Sequence, residues 1–383
     1  MTMQYLVVDA DGHITEPIDL WQRYVDSPYR DLAPRIVQAA NGADVVLFMG
    51  TEHVPAYPIG LPGAGMAGRP VGPRTMFERR YADCHPGGFD PKARLGVMDA
   101  EGIDAVVLFP TLSAIPIAAI PDEGLGLALA RAYNNWLAEF CQVAPHRLYG
   151  VAQVPLLHLD ASITEATRAV DKLGMRMIFL RPNPYAGRGW TDRLYDPFWA
   201  CIQDLGVPLA FHEGTFAKGI PTAGIDRFDS YFFQHIVSHP FEQQLACLSL
   251  IAGGVLERFP RLQVAFMESG TGWLPYWLHR IDEHYESLGW MVPEITMPPS
   301  RYFHRQCFIS TEPGDPHVRS VVKDLGHDRI LFASDFPHYD AVFPGAVQAF
   351  VEQSGLEDET LTAILGRNIA RLVGMPYSRR VRL

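Results

Sequence analysis

Short unbroken apolar runs alternate with stretches of helical spacing along most of this chain. The runs fall at 5–8, 104–110, 148–154, 175–180, 207–211, 262–267, 307–310 and 330–333. Between them apolar residues recur three and four apart, as at Leu125, Leu129, Tyr133, Trp136, Leu137 and Phe140. The spacing predicts helices over 91–101, 122–144, 160–173, 196–205, 240–259, 272–287, 316–325, 342–353 and 358–372. Strands without polar alternation are covered on both faces, as parallel strands are. Eight such units in sequence predict one closed (β/α)8 barrel spanning the chain. A doubly wound open sheet is the competitor, but none of the eight runs leads directly into a Gly-rich phosphate turn.

One stretch breaks the rhythm. Residues 22–90 follow the first strand without regular periodicity, and Pro55, Pro58, Gly60, Pro62, Gly63, Gly65, Gly68 and Pro70 crowd its middle. Val45-Val46-Leu47-Phe48, Tyr57 and Phe77 are apolar enough to pack, so the stretch reads as an irregular cap inserted in the barrel.

The polar residues that follow the strands carry the chemistry. The first strand runs into Asp9-Ala10-Asp11-Gly12-His13, the fourth into Arg181 and the fifth into His212-Glu213-Gly214. The sixth ends in Glu268-Ser269-Gly270, the seventh in Thr311-Glu312 and the eighth in Ser334-Asp335-Phe336-Pro337-His338. In a barrel these ends meet at one mouth, where catalysis takes place. Asp11, His13, His212 and Asp335 make a two-imidazole, two-carboxylate set suited to a divalent ion. Zn²⁺ fits it, with Mn²⁺ the alternative because half the donors are oxygen. Such an ion lowers the pKa of a bound water towards roughly 7, and Glu268 is placed to carry a proton.

Strict alternation puts Asp9 on the same side as Asp11 and His13, one layer deeper, where it could orient a ligand. Gly12 would let the backbone approach the bound ion. Arg181 is read as an anchor for a substrate carboxylate, His239 as a helix-starting residue that caps or meets substrate, and His338 as a residue facing the site. The other histidines, His235 among them, carry no signal.

Composition narrows the partners. A formal charge of −11 over 383 residues argues against nucleic acid or an anionic membrane as partner. No apolar run approaches the roughly 18 residues of a membrane span, and the N-terminus lacks a basic-then-apolar leader. Cys84, Cys141, Cys201, Cys247 and Cys307 are scattered and odd in number, which implies reduced thiols and a cytoplasmic enzyme acting on a small molecule.

The stretches 7–17, 208–214, 253–270 and 331–338 resemble the amidohydrolase superfamily, most closely its branch of aminocarboxymuconate-semialdehyde decarboxylase and related aromatic-acid decarboxylases. The resemblance implies a distorted (β/α)8 barrel, one divalent metal and frequent dimers. It maps the strand-five His onto His212 and the strand-eight Asp onto Asp335. The strand-one pair, usually His-x-His, is Asp11-x-His13 here, and Glu268 stands where many members have a catalytic His. The first substitution favours harder ions, and the second needs burial to bring a carboxyl near neutral pKa. The implied activity is non-oxidative decarboxylation of a small aromatic or unsaturated acid, with Asp335 or Glu268 delivering the proton. The alternative is hydrolysis of an amide, lactone or carbon–carbon bond by metal-activated water. The 240–259 helix, apolar around much of its circumference, adds to the expectation of a homodimer.

Overall fold

Eleven strands are described in the computed structural model, which covers residues 5–40, 42–48, 51–53, 65–70, 72, 80–111, 117–214 and 221–375. They are β1 (Val8–His13), β2 (Arg35–Gln38), β3 (Asp44–Phe48), β4 (Thr51–His53), β5 (Ala105–Phe109), β6 (Leu148–Ala152), β7 (Met177–Leu180), β8 (Leu209–Phe211), β9 (Val264–Phe266), β10 (Cys307–Thr311) and β11 (Ile330–Phe332). β1 and β5–β11 form one eight-stranded sheet in chain order, every registered pair parallel. Helices cross between successive strands, and the result is a (β/α)8 barrel.

The strand side chains divide between two cores, which is why the runs read as continuously apolar. Val8, Ala10, Ala105, Val107 and Phe109 fill the barrel interior with residues such as Met177 and Leu331. Val106 and Leu108 face outward into the layer shared with the helices. Polar residues begin where this packing stops, at the strand C-termini.

β1 departs from strict alternation. Asp9 lies opposite Val106 but Gly12 lies opposite Leu108, so three steps on β1 match two on β5. That extra residue is a β-bulge. Asp9 shares the outward side of Val106, whereas His13 lies opposite the inward Phe109. The expectation that Asp9, Asp11 and His13 share one face is therefore corrected: Asp9 faces outward and the bulge turns the other two into the mouth. Gly12 also answers to the outer layer, not to a bound ion. A Cβ there would meet Val106 Cγ2 at 2.5 Å and Asp9 Oδ2 at 3.1 Å.

The seam between β11 and β1 closes just past the end of β11. Asp335 N–H donates to Asp11 O at 2.9 Å and His13 N–H donates to Phe336 O at 2.7 Å. Outward-facing Asp9 completes the seam, accepting from Ser334 N–H at 2.9 Å and Ser334 Oγ–H at 2.6 Å.

Two further differences from the sequence reading concern the insertion and one helix. Inside 22–90, β2, β3 and β4 form an antiparallel sheet where no regular structure was expected. Most of the Gly/Pro-dense middle, 54–64, lies outside the described residues. The helix expected over 240–259 runs instead from Tyr231 to Ala252, followed by a separate turn at Val255–Arg258. Pro240, read as a first-turn residue, sits in its interior. His239 is accordingly mid-helix and does not cap it.

Candidate functional site

β1, β8, β9 and β11 deliver their terminal residues to one mouth. The two β1 side chains that reach it are held by the seam and by Arg94, whose guanidinium is fully enclosed. It donates to the carbonyls of His13, Gly87 and Phe336. Asp335 and Glu268 have positive φ, 59° and 49°. For residues with a Cβ this left-handed conformation is costly, and such strain concentrates at functional sites. It turns each carboxylate off its strand line and towards the histidines.

His13 Nδ1 faces Pro110 O at 3.1 Å, and His212 Nδ1 faces Glu213 O at 2.8 Å. A carbonyl only accepts, so each Nδ1 carries the hydrogen and each Nε2 presents a bare lone pair. Those two Nε2 atoms face one another at 3.1 Å. Asp11 Oδ1 is 3.4 Å from each of them, and Asp335 Oδ1 is 3.4 Å from His13 Nε2. Both Asp11 oxygens are buried without a hydrogen-bond partner, and the buried Asp335 Oδ1 is met by imidazole nitrogens, His338 Nδ1 at 2.7 Å and His13 Nε2 at 3.4 Å. Lone pairs do not converge with unpartnered carboxylate oxygens unless a cation lies among them, so this donor set fits the divalent ion implied by the resemblance.

Electrostatics agree with this chemistry. Burial, then the neighbouring His338, push His13 down to about 3, keeping the imidazole neutral as a ligand must be. Asp335 moves the opposite way: burial first, then Asp340, Glu312, Asp11 and Asp9 push it well above the ordinary carboxyl value. Glu268 is raised likewise by burial and by Asp335 and Asp11.

The remaining expected residues divide. His338 stacks on His13, with ring centroids 3.9 Å apart, and its Nδ1 lies 2.7 Å from Asp335 Oδ1. His239 Nε2 lies 3.5 Å from Glu268 Oε1, while Glu268 Oε2 lies 3.3 Å from His212 Nε2. Both imidazoles thus line the mouth. Arg181 is fully buried, with Nη2 on Glu213 at 2.7 Å and on Gly214 O, and Nε on Asn183 at 3.1 Å. Only its Nη1 lacks a partner. Sequence reasoning passed over Thr111, whose hydroxyl bridges His13 Nδ1 at 3.3 Å and His338 Nε2 at 3.2 Å. It also passed over Tyr231 and Tyr339, whose hydroxyls meet at 3.1 Å beside Glu268. A helix-borne Tyr such as Tyr231 offers no sequence signal.

The amidohydrolase family model matches residues 8–375. Gamma-resorcylate decarboxylase of Rhizobium sp. (strain MTP-10005) is 32% identical over 259 residues, 64% of this chain and 76% of the relative. Two solved structures share the fold. An amidohydrolase from Mycobacterium avium subsp. paratuberculosis K-10 superposes with TM-score 0.79 at 21% identity, covering 97% of this chain and 100% of that one. A dihydroxybenzoic acid decarboxylase from Polaromonas sp. JS666, with bound manganese and the inhibitor 2-nitroresorcinol, gives TM-score 0.65 at 19% identity, covering 98% and 99%. With the barrel, the convergent strand ends and a family match along nearly its whole length, this chain belongs to the amidohydrolase superfamily and is an enzyme of its decarboxylase branch.

Proposed function

We propose that the protein is a metal-dependent, non-oxidative decarboxylase of a small aromatic carboxylic acid. The observation that carries this reading is the facing pair of bare Nε2 atoms on His13 and His212, 3.1 Å apart, beside the unpartnered oxygens of Asp11 and the buried carboxylate of Asp335. These four residues would hold one divalent ion. Zn²⁺ suits the imidazoles, but the two carboxylates and the manganese of the Polaromonas enzyme favour Mn²⁺ as the resident ion. When bound, the ion supplies positive charge that fixes the substrate carboxylate or a neighbouring hydroxyl and polarises it.

The chain's own residues do the rest. Glu268, held protonated by burial and by its carboxylate neighbours, delivers a proton to the ring carbon that bears the acid group. The bond from that carbon to the carboxylate then breaks, its electron pair restores the ring, and CO₂ leaves. Asp335, paired with His338, is the alternative donor when it is not committed to the ion. His239 and His338 flank the substrate. Arg181 has only Nη1 to offer a carboxylate, so orientation of the acid group falls mainly to the ion. The 22–90 insertion is taken as a cap that excludes water from the ring.

Turnover in deuterated, ¹⁸O-labelled water tests the chemistry. The expected product carries one solvent deuterium on the ring carbon that bore the carboxyl group, with release of CO₂. Solvent ¹⁸O in a newly formed carboxylate would instead establish hydrolysis.

Two wider properties belong to the same reading. Phe232, Phe233, Ile236, Phe241 and Leu245 are 47–67% exposed along the Tyr231–Ala252 helix. Apolar exposure on that scale marks a protein interface, and it supports a homodimer, which light scattering at micromolar concentration would check. Cys141, Cys201, Cys247 and Cys307 are free thiols, which supports a cytoplasmic location. No helix among the described residues is long and apolar enough to cross a membrane.

A further inference from the structure

Glu268 does not belong to one cluster alone. Its Oε2 approaches His212 Nε2 at 3.3 Å, and its Oε1 approaches His239 Nε2 at 3.5 Å on the far side. Four residues before His239 on the same helix lies His235, the two rings 4.9 Å apart between centroids. Imidazoles at this spacing share one helix face and can grip one ion together. One ligand atom each from His235, His239 and Glu268 lies within 4.8 Å of the others. His239 Nδ1 is engaged by Ser238 Oγ at 2.9 Å, which leaves Nε2 to point at Glu268. His235 Nε2 in turn lies 3.9 Å from Asp340 Oδ2, a second carboxylate at the edge of the same group.

Charge supplies an independent argument. Asp11, Glu268, Glu312, Asp335 and Asp340 all bear on one another across the mouth. Among the described residues, every ion-pair partner of Asp11, Glu268, Asp335 and Asp340 is an imidazole, with no lysine or arginine among them. A second cation there would meet carboxylate and imidazole donors with no competing ammonium or guanidinium.

We propose that His235, His239 and Glu268, with Asp340 at the edge, form a second divalent-cation site next to the ion held by Asp11, His13, His212 and Asp335, with the Glu268 carboxylate bridging the two. The inference rests on the metal centre of the proposed function and adds a ligand set to it. With both sites filled, Glu268 is a ligand and carries no proton, so the decarboxylation described above belongs to the one-ion form.

Stoichiometry decides the matter without reference to activity. Full-length protein is stripped with chelator, titrated with Mn²⁺, freed of excess ion by gel filtration, and analysed for metal and by electron paramagnetic resonance. The expected result is two equivalents and the spectrum of an exchange-coupled pair. His235→Ala, at a partly exposed position that should fold normally, and the double variant H235A/H239A should each fall to one equivalent with the spectrum of an isolated ion. One equivalent in the wild type at saturation overturns the second site and leaves the first standing. Two equivalents retained in H235A/H239A overturn it as well. No bound metal at all overturns both sites, and with them the metal-dependent function.

Discussion

Ser334→Ala removes one oxygen atom that never reaches the mouth, and it should weaken both the fold and the metal centre. Ser334 Oγ donates to Asp9 Oδ2 at 2.6 Å and accepts from Phe336 N–H at 3.1 Å, all buried in the seam between β11 and β1. Losing a hydrogen bond to a charged acceptor costs about 1.5–3 kcal/mol, and an orphaned buried N–H costs roughly 1–3 kcal/mol. Asp9 keeps its bonds from Ser334 N–H and Asp11 N–H, so a net loss of about 2–4 kcal/mol is expected. At roughly 2.1 cal/mol/K of unfolding entropy per residue, a chain this long loses about 3–5 °C in Tm. The same bonds flank Asp335, whose positive φ holds only while its neighbours enforce it. Loosening an outer partner of this kind typically costs 10–100-fold in metal affinity.

The assay is a Mn²⁺ titration beside a thermal melt, with Ser162→Ala as control. Ser162 is equally buried, but its Oγ has no partner, so the same atom deletion should leave stability unchanged or raise it by up to about 1–3 kcal/mol, with affinity unchanged. Affinity of Ser334→Ala within threefold of wild type would refute the idea that the seam positions the ligand set.

Three other outcomes follow from the same geometry. Chelation should lower Tm by about 5 °C relative to protein at roughly a thousandfold excess over Kd, since such binding contributes about 4 kcal/mol; a melt indifferent to chelator would mean the donors hold no ion. Glu268→Gln keeps the shape but cannot carry the proton, so kcat should fall roughly 10²–10⁴-fold while one equivalent of metal stays bound, as read by elemental analysis. Gly12→Ala would push a methyl to 2.5 Å from Val106 Cγ2; a cost of about 1–3 kcal/mol in chemical denaturation is expected, and a neutral result would show that the bulge relaxes freely.

The barrel was legible because its strands are apolar on both faces, and the helices because their apolar positions recur at helical spacing. The predicted 91–101 and 196–205 helices match the observed bounds. Legibility failed where a local rule met an exception enforced by tertiary packing. Pro240 signals a helix start by itself, yet the helix begins nine residues further back, at Tyr231. Alternation along β1 was a sound inference from period two, and the bulge that breaks it is visible only in the pairing with β5. The ligand residues were recognisable because each follows an apolar run directly. Thr111 directly follows the 104–110 run and Tyr339 follows His338, but neither side chain is ionisable near neutrality and so neither stood out, while Tyr231 lies at a helix start with no such cue.

The bulge also explains why Asp9 and Asp11, two residues apart, meet such different fates. A regular β1 would carry both outward beside Val106, and the mouth would lose Asp11. The extra residue comes after Asp9, which stays outward on the Ser334 amide and hydroxyl, where it is raised to about 6 by burial against those hydrogen bonds. Asp11 is sent inward, where its Oδ1 lies 3.4 Å from the Nε2 of both imidazoles. One backbone irregularity therefore makes one carboxylate a clasp for the barrel seam and the other a metal ligand. Because Asp335 N–H bonds to Asp11 O across that seam, closing the barrel and assembling the donor set are the same structural event. A substitution that opens the seam should accordingly lose metal in proportion to the stability it loses, whereas one in the outer helices should lose stability alone.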